Sequence, residues 1–186
     1  TVRAGGTVLG TATESTAAPG TFTFTPTLTA DGNFTFTATA TDLAGNVSAP
    51  STAVSFLRDA TAPALQVALA NGATGDTNSA ALANTSEANA SVEVFNGDTK
   101  LGDAVEGLGG TFTFTPQLAD GSATLTIRAT DAAGNVTTES VSFTLDTAAP
   151  AAPSLSLVTD SGFSVSDGVT KEATLSIQAE AGSTVE

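Results

Sequence analysis

Apolar and hydroxyl side chains alternate along most of the chain. From residue 34, the run FTFTATAT puts Phe34, Phe36, Ala38 and Ala40 on one face and Thr35, Thr37, Thr39 and Thr41 on the other. TLTIRAT from residue 124 repeats the pattern with Leu125, Ile127 and Ala129. VSFTL from residue 141 does so with Val141, Phe143 and Leu145, and TFTFT from residue 111 with Phe112 and Phe114. A period of two is that of a strand with one buried face and one wet face. β-branched Thr and Val suit such a pleated surface, and Thr keeps its outer face soluble. No stretch carries a helical apolar stripe of useful length, so strands alone are predicted.

The strands recur. TFTFTP at 21–26 returns at 111–116, and TATDLAGNVS at 39–48 returns as RATDAAGNVT at 128–137. RDATAP at 58–63 matches LDTAAP at 145–150, VRAGGTVLG at 2–10 resembles VFNGDTKLG at 94–102, and SEANASVE at 86–93 resembles AEAGSTVE at 179–186. The period is about 90 residues, the size of one small β-domain. On this phase, residues 1–59 are the later part of one unit, 60–147 a complete unit, and 148–186 the opening of a third. The chain therefore reads as a window on a longer array.

Turn signals divide the complete unit into about seven strands, near 64–69, 79–84, 90–96, 99–105, 110–117, 122–130 and 135–145. ADG at 30–32 and 119–121 marks a tight connection. AGN supplies Gly45 and Gly134 where a loop needs positive φ. Seven short antiparallel strands without a helix make an all-β fold: tandem two-sheet sandwiches of immunoglobulin type. The core must be carried by Phe, Leu, Val, Ile and Ala.

Composition narrows the chemistry. The 186 residues include no Cys, Met, Trp, Tyr or His, and the formal net charge is −14. Disulfides and thiolate or imidazole metal sites are excluded. Carboxylates, amides and carbonyls remain, and these hard oxygen donors suit calcium or magnesium. Five basic residues cannot track a phosphate backbone, so nucleic acid is excluded as a partner. No apolar run reaches the ~20 residues that a membrane-spanning helix needs. The common catalytic bases and nucleophiles are missing, and Lys100 and Lys171 sit in no motif, so no enzyme is expected.

TDLAGN, TDAAGN, the DATAP and DTAAP linkers, the ADG turns and AEAGSTVE together resemble bacterial immunoglobulin-like repeats. These are the tandem domains of giant surface adhesins, many exported by type I secretion. The resemblance covers nearly the whole chain. It implies an extracellular, cell-surface location, a role in attachment or biofilm formation, and calcium near domain junctions.

In an immunoglobulin topology, the loop between the last two strands, the loop between the second and third, and the incoming linker share one pole. That pole should gather Asp59, Glu87, Asp131 and Asn135. Asp and Asn also flank turns simply to cap backbone amides. Three converging carboxylates repel, however, and only Arg58 and Arg128 lie nearby in sequence; a calcium ion would neutralise them. Asp42 with Asn46, and Asp146 with Glu180, are the corresponding half-sites of the neighbouring units. Asp31 and Asp120 read as turn residues. The segments 75–78 and 160–168 read as loops at the opposite pole that could add ligands.

Two roles fit. One is a structural spacer, a semi-rigid rod whose Pro63 and Pro150 restrict the linkers and whose junction calcium locks neighbouring repeats. The other is a direct module for binding a protein or a glycan, or a surface-layer component. The near-identity of successive units favours the spacer, and exposed Trp or Tyr platforms for sugar are absent from the sequence. The partners expected are neighbouring repeats of the same chain. Residues 148–186 and 1–59 also sum to about one unit, so copies could complete each other head to tail.

Overall fold

A computed structural model describes residues 1–161, 163–164 and 166–186. Residues 1–58 form β1 (Val2–Ala4), β2 (Thr7–Gly10), β3 (Thr13–Glu14), β4 (Phe22–Thr23), β5 (Gly32–Ala38) and β6 (Val54–Arg58). The central unit follows: β7 (Leu65–Gln66), β8 (Asp76–Thr77), β9 (Leu82–Ser86), β10 (Ser91–Asn96), β11 (Thr99–Asp103), β12 (Val105–Glu106), β13 (Thr111–Phe114), β14 (Gly121–Thr130) and β15 (Val136–Leu145). A last ribbon pairs β16 (Ser154–Leu157) with β17 (Leu175–Gln178). Among the described residues the only helical element is a 3-10 turn, Leu108–Gly110.

The central unit is a sandwich. One sheet runs β11-β10-β14-β15-β8 and the other β12-β13-β9-β7. Its longest ladder joins β14 to β15 antiparallel, from Gly121↔Leu145 to Thr130↔Val136. The predicted inward residues are inward: Leu125, Ile127 and Ala129 are sealed, Phe112 is sealed against them from the second sheet, and Phe143 and Leu145 are buried. Fully burying a Leu, Ile or Phe side chain stabilises by about 1.5–3 kcal/mol, so this face supplies most of the drive to fold.

Nine strands stand where about seven are predicted. The predicted strand at 99–105 splits because the chain crosses between the sheets at Ala104: β11 pairs with β10, and β12 with β13. The first predicted strand is short, with an isolated bridge at Leu69 continuing it. The reading of 75–78 as a loop is corrected: Asp76 and Thr77 form β8, which runs parallel to the end of β15. A polar pair escapes a hydrophobic-pattern search, yet Thr77 is buried, accepting from Asn71 and Ser79 through its hydroxyl. Of the segment 160–168, residues 162 and 165 lie outside the described residues.

Residues 1–58 repeat β10 to β15 as β1 to β6. Their sheet runs β2-β1-β5-β6, with β3 and β4 as a separate ribbon. Phe34, Phe36 and Phe56 stack on one another, with ring centroids 5.5–6.2 Å apart.

One core position breaks the apolar pattern. Asn84, on β9, is 1% exposed, and neither amide atom has a hydrogen-bond partner. An unpaired buried amide costs about 1–3 kcal/mol. The corresponding position of the last ribbon is Ile177. Asn84→Val should therefore stabilise the central unit by about 1–2 kcal/mol, read as a higher urea midpoint with an unchanged slope. An unchanged or lower midpoint would mean that the amide has partners or that Val does not fit.

Candidate functional site: the junction between repeats

The linker after β6 is gripped from both sides. On the first unit, Asp31 stands just before β5, and its carboxylate accepts from Arg58 Nη1 at 2.5 Å, the Ala60 N–H at 2.9 Å and the Thr61 hydroxyl at 2.5 Å. On the central unit, Asn135 Nδ2 donates to the Asp59 carbonyl at 3.3 Å, and the Thr137 hydroxyl donates to the Pro63 carbonyl at 2.6 Å. The Pro63 ring is fully buried. The Asp59 carboxylate turns the linker locally by accepting the Thr61 N–H at 3.1 Å.

The second linker repeats the exit grip. Asp120 stands just before β14, and its Oδ1 accepts the Thr147 N–H at 3.1 Å and the Thr147 hydroxyl at 2.9 Å. Asp146 Oδ1 accepts the Ala148 N–H at 3.0 Å, as Asp59 does for Thr61. Asp31 and Asp120, read from sequence as turn residues, are thus linker clasps. Hairpin register explains their position. Gly121 pairs with Leu145, so the residue before β14 faces the chain that leaves β15.

The TDxAGN loops are locks of a different kind. Asp131 Oδ1 accepts the Ala133 and Asn135 N–H groups at 2.9 Å each, and Oδ2 accepts Asn135 Nδ2 at 2.8 Å. Asp42 holds Asn46 with two bonds of 2.8 Å. Gly45 and Gly134 take φ of 90° and 91°, the left-handed conformation predicted for them. The Asn side-chain amide, followed by backbone N–H donors, holds both Asp carboxyls below the usual carboxylate range.

Asp59, Asp131 and Asn135 meet through the Asn135 amide. Glu87 follows β9 at the same end, since Ser91 pairs with Thr130. Its carbonyl caps a turn by accepting the Ala90 N–H. Asp42 and Asn46 meet within their own loop, whereas Glu180 caps Ser183 and shares no hydrogen-bond partner with Asp146. Among the described residues, no three His, Cys, Asp or Glu side chains converge as a metal-holding group. Asp131 points both oxygens into its own turn. The sequence neighbours Arg58 and Arg128 do not neutralise the pole. Arg58 pairs with Asp31, and Arg128 pairs with Glu93 while covering the Phe95 ring at 5.1 Å.

A family model described as "Bacterial Ig-like domain" matches residues 1–59 and 67–147. No curated protein matches the sequence. Fibronectin(III)-like modules of CbhA from Clostridium thermocellum align with 18% identity and a TM-score of 0.45, over 77% of this chain and 75% of that one. A tetra-tandem repeat in the extending region of a large adhesion protein aligns with 25% identity and a TM-score of 0.41. There the alignment covers 69% of this chain, which spans 35% of the other's length.

The clasp is acid-sensitive. The Thr61 hydroxyl, then the Ala60 N–H and the Arg58 guanidinium, lower the Asp31 pKa. A depressed carboxyl stabilises above its ordinary pKa, and the contribution is lost as pH falls through the lowered value. Exchange protection of the Ala60 amide should hold at neutral pH and fall only below about pH 4. Asp31→Ala should abolish that protection at neutral pH; protection that survives the substitution would mean that Asp31 is not the clasp.

Proposed function

This chain belongs to the bacterial Ig-like domain family, and we propose that it serves as a non-catalytic extender in a bacterial surface adhesin. Its tandem sandwiches would form a semi-rigid rod outside the cell, holding a separate adhesive part away from the surface for attachment or biofilm formation. The observation that carries this reading is the repeated linker grip. Asp31 and Asp120 hold successive linkers through the same turn, so what recurs from unit to unit is a joint. A module built to bind one ligand would repeat a recognition surface instead. The acidic surface suits a rod, because like charge keeps neighbouring repeats from associating wrongly.

Stiffness follows from the covalent and hydrogen-bonded geometry of the linker. Proline fixes φ at Pro63, and the ring is buried in the unit that it enters. Four linker residues, Asp59, Ala60, Thr61 and Pro63, bond to one unit or the other. Asp31→Ala with Thr137→Val should loosen the joint while both units stay folded. Small-angle scattering should then give a shorter maximum dimension and a broader distance distribution. An unchanged profile would sink the clasp as the source of stiffness.

Calcium is a second tie proposed for the same pole, supported by Asp59, Glu87 and Asp131 having no cationic partner there among the described residues. It requires the Asp59 and Glu87 side chains to rearrange toward Asp131. At ten times the dissociation constant, one site adds about 1.4 kcal/mol, or several degrees of melting temperature. The melt should rise in ~1–5 mM calcium over EDTA, and Asp59→Ala should remove the rise. Identical melts in calcium and EDTA would dismiss the ion and leave the rod reading intact.

A further inference from the structure

Two steps of the chain read Asn-Gly: Asn71–Gly72 and Asn96–Gly97. Asparagine is a thermolabile residue, and a following glycine exposes its weakness. Glycine has no side chain to shield its main-chain nitrogen, which can close on the asparagine side-chain carbon. Closure needs a free glycine N–H, a side-chain amide that can rotate toward it, and a turn that can flex. The fold treats the two steps oppositely.

Asn71 is held on each count. Its Nδ2, the leaving group, donates to the Thr77 hydroxyl at 2.7 Å, and its Oδ1 accepts the Ala73 N–H at 3.1 Å. The Gly72 N–H, the nucleophile, is engaged by the Leu69 carbonyl at 2.9 Å. Thr77 is itself buried in β8 and bonded to Ser79, so Asn71 cannot turn without disturbing that anchor. Asn96 lacks these ties. It ends β10, where its main chain pairs with Thr99 and Leu125, and the two-residue turn Gly97–Asp98 follows. Asn96, Gly97 and Asp98 are all exposed at this tip, and Gly97 takes φ of 57°. Among the described residues, neither the Asn96 side-chain amide nor the Gly97 N–H has a hydrogen-bond partner. The Asp-Gly steps resemble Asn71. Asp31 and Asp120 are engaged by linkers, and Asp167 accepts the Val169 N–H at 3.1 Å.

We propose that Asn96 is a self-modification site, converted to aspartate and isoaspartate by its own backbone. The Gly97 nitrogen gives up its proton to water and bonds to Cγ of Asn96. The bond from Cγ to Nδ2 breaks, and ammonia leaves with the proton. Water then opens the five-membered imide. Opening at Cγ gives aspartate; opening at the main-chain carbonyl gives isoaspartate, with the chain running through the side chain. One water is consumed and one ammonia released, with no oxidation or reduction. Either product adds a carboxylate beside Asp98, and isoaspartate also lengthens the backbone by one methylene where Asn96 faces Thr99. β11 lies at the edge of its sheet, so it loosens first. The change belongs to the central unit, because the matching hairpin of residues 1–58 has Ala4 before Gly5. Without repair it accumulates with the age of the chain.

The test is to hold the folded full chain in mildly alkaline buffer, follow ammonia release, and locate the change by peptide fragmentation. Asn96 should lose its amide while Asn71 keeps its own, and isoaspartyl methyltransferase should label the product at position 96. The Thr99 amide should exchange faster in the converted chain. Unfolding in guanidinium chloride removes the ties on Asn71, so both steps should then react at similar rates. Asn96→Gln, which would have to close a larger ring, should suppress ammonia release from the folded chain. Asn71 converting as fast as Asn96 in the folded chain overturns the proposal. So does an Asn96 amide that survives folding conditions for a period in which the unfolded chain loses it.

Discussion

The pairing of β9 with β13 closes the core of the central unit. Where the pair forms, the second sheet closes, and Leu125, Ile127 and Phe112 leave water altogether. In residues 1–58 the same alternation of Phe and Thr brings Phe34, Phe36 and Phe56 against one another. The inward faces keep the same alternation in both units, although Phe34, Phe36 and Ala38 stand where Ala123, Leu125 and Ile127 do. A sheet face is stabilised only by what covers it, and one strand from a distant part of the chain supplies that cover.

The joint between units rests on a second constraint, the fate of the polar groups where the chain passes from one sandwich to the next. A linker without regular structure leaves its N–H and C=O groups in want of partners. Here side chains of both neighbours supply them, Asp31 from one side and Asn135 and Thr137 from the other. Burial of Pro63 then orders the linker against the unit that follows. The TDxAGN loop serves the joint indirectly. Asp131 fixes the loop, and the fixed loop presents the Asn135 amide to the Asp59 carbonyl. Asp42 and Asp131 thereby lock turns, and Asp31 and Asp120 clasp linkers.

Much of this was legible in the residues. Alternation fixed the inward set from Leu125 to Leu145, because a strand allows only two faces. The 90-residue recurrence revealed the units, and the glycines of the two AGN loops revealed their left-handed turns. Three things were not legible. β8 is two polar residues held by a parallel edge and a buried Thr77 hydroxyl, and no pattern of hydrophobicity marks such a strand. Asn84 sits in an apolar core where alternation alone would place an aliphatic side chain. Asp31 and Asp120 look like any aspartate before a tight turn, and only the β14–β15 ladder shows that the outgoing linker lies within their reach.

The sequence by itself determined the local conformations and the repeat: which residues face in, where the chain turns, and how often the plan recurs. Those follow from steric and solvation preferences that act over a few neighbouring residues. The tertiary structure decided the pairings: which strand closes which sheet, where Ala104 carries the chain from one sheet to the other, and which aspartate holds a linker and which holds its own turn. Each of those depends on groups brought within about 3 Å from tens of residues away. A one-dimensional pattern carries no distance between them until the sheets have formed.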